Sequence, residues 1–181
     1  GLYEDRKFEQ NIQGALANGI QVGVYFYSGA SNAREAYDEA SYCISLIRDY
    51  QITYPVAFDW ELDGDYDSVT EACETFCNVI SSYGYQPMVY SNRNRWYNNF
   101  DGEKIASKYK VWMAAYFGKF YYDSVRWTYG DDLPNFRYHY DMWQYSSRCY
   151  VDGISGQVDV DIAFFGYANY HVDTKDAVLT V

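Results

Sequence analysis

The stretch Tyr54-Pro55-Val56-Ala57-Phe58-Asp59-Trp60-Glu61 decides how the rest of the chain is read. Its apolar run suits a strand buried on both faces, as in a parallel sheet. It ends in two carboxylates spaced i, i+2. Side chains alternate along a strand, so Asp59 and Glu61 point the same way, roughly 7 Å apart. Acids at the C-terminal end of such a strand stand where α/β barrels carry their chemistry.

Outward from this strand the pattern alternates. Residues 8–18 have helical spacing and stop at Asn18-Gly19; residues 20–28 read as a strand; residues 31–50 are an amphipathic helix with Ser31 or Asn32 as N-cap. After the acid strand come an acidic loop (62–66), a helix near 67–83 ending at Gly84, and a short strand at 86–91. Residues 92–109 suggest short helices, 110–117 a strand, and 118–137 a long aromatic excursion without a clear period. Two last strands are expected at 139–146 and 157–164, joined by the turn Gly153-Ile154-Ser155-Gly156. Helix–strand alternation followed by strands alone predicts a largely parallel sheet closed by strands rather than by further β/α units. Residues beyond 166 read as an appendage or the start of a linker.

The 181 residues suit one domain with a sizeable core, and 49% hydrophobic content is far from disorder. A net charge of -11 disfavours nucleic-acid binding. No run approaches the ~18 apolar residues of a membrane span, so no membrane insertion is expected. The 23 tyrosines supply flat amphipathic faces that serve equally as sugar platforms or as core. Cys43, Cys73, Cys77 and Cys149 read as buried free thiols, with a disulfide as the alternative; His139 and His171 lack zinc-site spacing. The chain opens on Gly1-Leu2-Tyr3, as if cut from a longer protein.

Asp159 and Asp161 repeat the i, i+2 pattern on the last expected strand, Asp159 being the better inward candidate. Carboxylates in unlike environments divide acid and base roles in glycosidases. Each also has a plainer reading, Asp59 as a cap or loop acceptor and Glu61 as a solvated strand end. Asp63, Asp65 and Asp67 read as loop charge, without the glycine and distal glutamate of a calcium loop.

Several motifs in order resemble glycoside hydrolase family 25, the Chalaropsis-type lysozymes or N-acetylmuramidases. They are Gly23-Val24-Tyr25-Phe26-Tyr27-Ser28, the acid strand, Met88-Val89-Tyr90-Ser91, Trp112-Met113-Ala114-Ala115-Tyr116, Trp143-Gln144-Tyr145-Ser146, and the run from Val151 to Asp161. The resemblance covers about residues 5–166. It implies an α/β fold, a modified TIM-like (β/α)5(β)3 barrel, and a catalytic domain over 1–166. It implies peptidoglycan cleavage between N-acetylmuramic acid and N-acetylglucosamine, outside the cytoplasm, by a bacterial or phage-derived protein. Glu61 is then the general acid, Asp59 its ionised partner, and Asp159 the acid of the last strand. Tyr25, Tyr27, Tyr90, Trp112, Tyr116 and Gln144 match groove-lining positions. No cofactor or metal is implied.

In one respect the chain departs from the family, which begins with a strand carrying an Asp and then a second strand. Nothing before Phe8 matches these, and Leu2 to Lys7 resembles the loop that follows them. The barrel is therefore expected to be N-terminally incomplete, with exposed sheet edges that self-association or swapping would cover. The alternatives to an active muramidase are a non-catalytic glycan-binding module, an inactive fragment of a muramidase, and a metal-dependent hydrolase using the four acids.

Overall fold

A computed structural model describes residues 2–63, 68–116 and 133–165. The expected appendage and most of the aromatic excursion lie outside them. Six strands form one sheet in sequence order: β1 (Val24–Ser28), β2 (Val56–Trp60), β3 (Pro87–Asn92), β4 (Lys110–Ala114), β5 (Met142–Cys149) and β6 (Val158–Ala163). The first five are parallel and β6 runs antiparallel to β5. The sheet is a curled, incomplete barrel, as the sequence implied, and β1 and β6 are its edges.

The helices are α1 (Phe8–Ala17), α2 (Ala33–Ile47), α3 (Val69–Ser82), α4 (Arg93–Asn98) and α5 (Gly102–Ala106). Gly19 (φ 71°) and Gly84 (φ 84°) follow α1 and α3 in the left-handed region that favours glycine. The Asn32 side chain caps α2 by accepting from Glu35 N at 3.0 Å, and Glu35 Oε2 accepts from Ser31 N at 2.7 Å. None of the described helices is long and apolar enough to cross a membrane.

Alternation along the strands separates two interiors. Phe58, Trp60, Val89, Val111, Met113, Trp143 and Tyr145 point outward and form the main core with α2 and α3. Phe58 packs on Phe76 at 5.2 Å and Trp60 on Phe100 at 5.7 Å between ring centres. All four cysteines are free and buried, as expected. The opposite face, lined low down by Ala57, Met88 and Met142, forms the barrel interior.

Two strands start well after their expected first residues. β1 starts at Val24 rather than residue 20, because Val22 O accepts from Thr53 N and Tyr54 N ahead of the regular ladder. β5 starts at Met142 rather than 139, because the Asp141 carboxylate accepts from Val111 N at 2.9 Å and takes a ladder position.

Gly23 sits where a Cβ would lie 2.7 Å from Pro55 O and 2.8 Å from Tyr54 Cβ. Backbone cannot yield there without parting β1 from β2. Gly23→Ala is expected to cost about 1–3 kcal/mol in urea unfolding; an unchanged midpoint would contradict this packing.

Candidate active site

Parallel register sets the site. Tyr27, Asp59, Tyr90, Trp112 and Met142 are successive cross-strand partners and face the barrel interior together. Asp59 is buried, 6% exposed, and its Oδ1 has no hydrogen-bond partner among the described residues. Glu61 follows just beyond β2, half-buried at the rim.

Burial first, then the neighbouring Glu61 charge and more weakly that of Asp159, together push the Asp59 carboxyl up to about 8 against the opposing Arg95. In the unliganded chain Asp59, the deeper of the two acids, retains its proton near neutral pH.

The other expected residues divide by depth. Tyr90 Oη donates to Gln144 Oε1 at 2.8 Å, and Tyr116 donates to the same oxygen. Tyr90 and Gln144 are buried, so they orient their neighbours more than they offer open surface. Tyr90 and Trp112 meet edge to face at 4.7 Å. Tyr25 and Tyr27 are 66% and 55% exposed because β1 is an edge strand. The Tyr25 phenol is raised by partial burial and then by the charges of Asp59 and Asp159. Burial and the charges of Asp159 and Glu61 likewise raise the Tyr116 phenol. The structure thus brings Tyr25, Asp59, Glu61, Tyr90, Tyr116 and Asp159 into one electrostatic neighbourhood.

Sequence reading favoured Asp159 as the inward acid of its pair, and the structure reverses their depths. β6 runs antiparallel, so its first residues lie at the barrel mouth, where Asp159 is exposed. Asp161, opposite Gln144, is 6% exposed and accepts from Trp112 Nε1 at 2.6 Å. Asp161 was foreseen only as the lesser acid of its pair, and Arg95 was not foreseen at all. Asp161 holds the Trp112 ring. Arg95, on α4, donates to Leu62 O at 3.1 Å and pairs with Asp63 at 2.7 Å, fixing the chain just after Glu61. The signal for Arg95 was its place after a barrel strand, inside the polar run Asn92-Arg93-Asn94-Arg95.

Burial pushes Asp161 up to about 8 from 3.8. The folded chain therefore keeps a proton that the unfolded chain releases, and this contribution is full below about pH 4 and lost as pH rises to about 8. Asp161→Asn keeps an oxygen for Trp112 and removes the titration. It is expected to raise stability at pH 8 by about 2 kcal/mol, on the order of 5 °C in Tm, with no gain at pH 4. Equal melting of the two proteins at pH 8 would contradict the burial.

Residues 1–154 match the family model for "Glycosyl hydrolases family 25". The chain is similar to the "Autolytic lysozyme" of Clostridium acetobutylicum, 26% identical over 88% of this chain and 44% of that protein. It is also similar to the "D-alanyl-L-alanine endopeptidase" of Streptococcus phage B30, 29% identical over 78% of this chain and 31% of that one. Among solved structures it resembles the CTP1L endolysin with a TM-score of 0.72 and 26% identity, covering 90% of this chain and 54% of that one. The chain spans less than half the length of both curated relatives.

Proposed function

The chain belongs to glycosyl hydrolases family 25, and on that premise we propose that it is a peptidoglycan hydrolase, a 1,4-β-N-acetylmuramidase. Residues 1–166 form the catalytic unit, with residues 167–181 as appendage. It acts at the cell wall, outside the cytoplasm, on glycan strands laid across the mouth of the barrel.

The observation that supports this best is the placement of Asp59, buried, and Glu61, nearer the rim, at the end of β2 in an aromatic mouth. Glu61, nearer the rim, is the general acid that protonates the glycosidic oxygen. Asp59 is its ionised partner once substrate binds. An acetamido N–H and positive charge developing at the sugar carbon both favour the Asp59 carboxylate, so its proton passes to Glu61. Asp159 adds negative potential at the mouth as that charge develops. Tyr25, Tyr27, Trp112 and Tyr116 offer faces to sugar rings, while Tyr90 and Gln144 keep the Tyr116 hydroxyl in place. The scheme needs no cofactor.

Asp59 must hold its proton in the free protein. Hence kcat/KM on purified peptidoglycan is expected to fall as pH rises through about 8, the value set chiefly by the burial of Asp59. A turbidity assay between pH 5 and 10 reads this limb. Activity that stays level to pH 10 would contradict a proton held there.

A further inference from the structure

We propose that a second, arginine-lined pocket on the rim takes the carboxylates of the peptide branches borne by the glycan strand. The pocket has a volume of about 540 Å³ and is lined by Arg93, Asn94, Tyr97, Asn135 and Arg137. It deepens the peptidoglycan reading above and rests on it.

Three features carry the inference. The first is the state of the arginines. Arg93 donates to the Asn135 carbonyl at 3.4 Å, and the Arg137 guanidinium lies 4.8 Å over the Tyr97 ring. Neither pairs with a carboxylate among the described residues, whereas Arg34, Arg48 and Arg95 each face an aspartate. In a chain of net charge -11, two guanidiniums left to neutral partners in one concavity form a local anion site.

The second feature is how the pocket is built. The Arg137 backbone N–H donates to Tyr97 Oη at 3.0 Å, which fastens the segment before β5 to α4. Tyr97 also stacks on Phe136 at 5.6 Å. The arginines therefore rise from packed aromatics rather than from a loose loop.

The third is position. Asn94 also lines an adjoining polar cavity of about 550 Å³ with Leu62, Asp63 and Arg95. Leu62 directly follows Glu61, so the two cavities lead outward from the acid pair along the same rim. A glycan held at the acids would carry its peptide branch along this shelf. Guanidinium recognises a carboxylate through paired N–H donors, and Tyr97 and Asn94 suit amide groups beside it.

The test is equilibrium binding to the full chain of an N-acetylglucosaminyl-N-acetylmuramyl tripeptide, compared with the same compound after amidation of its carboxylates. A peptide-free N-acetylglucosamine tetramer reports the sugar groove alone. The free-acid compound is expected to bind about tenfold more tightly than the amidated one. The double variant Arg93→Gln/Arg137→Gln is expected to lose that preference and keep its affinity for the tetramer. Equal binding of the two compounds, with the tetramer still bound, overturns the pocket and leaves the glycan reading standing. So does a preference that survives the double variant. Binding of a glycerol-phosphate oligomer that needs both arginines, without preference for the free-acid compound, would assign the pocket to wall phosphates instead. Failure to bind any sugar probe overturns both readings.

Discussion

Glu61→Gln is expected to lower kcat on peptidoglycan by about 10²–10⁴-fold, the usual loss when a positioned general acid is removed. The substitution keeps shape and size at a half-buried rim position, so stability should stay within about 0.5 kcal/mol. It acts in two ways. The amide cannot deliver a proton to the glycosidic oxygen. Removing the Glu61 charge also withdraws one of the influences that raise the Asp59 carboxyl. The remaining carboxyl should then titrate lower, and any residual activity should show its alkaline limb shifted toward acid. Kinetics of the two proteins across pH, with melting curves alongside, check both parts. A Glu61→Gln protein with near-normal kcat would remove Glu61 from the chemistry, leaving Asp59 or Asp159 as proton donor.

Trp60→Ala is expected to be the most damaging single change to the fold, at about 3–5 kcal/mol. Trp60 is fully buried, its indole N–H donates to Ala30 O at 3.3 Å, and its ring meets Phe100 edge to face. Its carbonyl accepts from Ser91 Oγ at 2.7 Å, which ties the acid-bearing end of β2 to β3. Loss on this scale approaches the whole stability of a marginal domain. Urea unfolding reads it directly. Trp60 lies between Asp59 and Glu61 on the opposite face of the strand, so its packing holds both acids in register. Trp60→Phe should recover much of the stability and restore the acid spacing. A midpoint unchanged by Trp60→Ala would contradict the outward core.

Much of this was legible in the residues, because period-two alternation carries its own geometry. The apolar faces of Val56, Phe58 and Trp60 required helices on one side, and Asp59 and Glu61 followed on the other. Strand ends were less legible. The start of β5 turns on a side chain, since the Asp141 carboxylate takes a ladder position that a propensity reading gives to backbone. Depth along the barrel was not legible for the last acid pair. Whether Asp159 or Asp161 lies deeper depends on the direction of β6, and spacing is the same in both directions. Arg95 was missed because its partners are the Leu62 carbonyl and Asp63, more than thirty residues away in sequence. The exposure of Tyr25 and Tyr27 follows from β1 being an edge of the sheet, and a strand reads alike at an edge or in the middle.

The most direct measurement of the central claim is the identity of the chain ends created on purified peptidoglycan. After digestion, any new amino groups are counted on the intact digest; new reducing ends are then reduced with borohydride, the products are hydrolysed, and the amino alcohols are counted. Muramitol rising with time, with neither glucosaminitol nor new amino groups, is the result this account predicts. Glucosaminitol would move the cut to the other glycosidic bond, and new amino groups without reducing ends would make the protein a peptidase, contradicting the role given to Glu61 and Asp59.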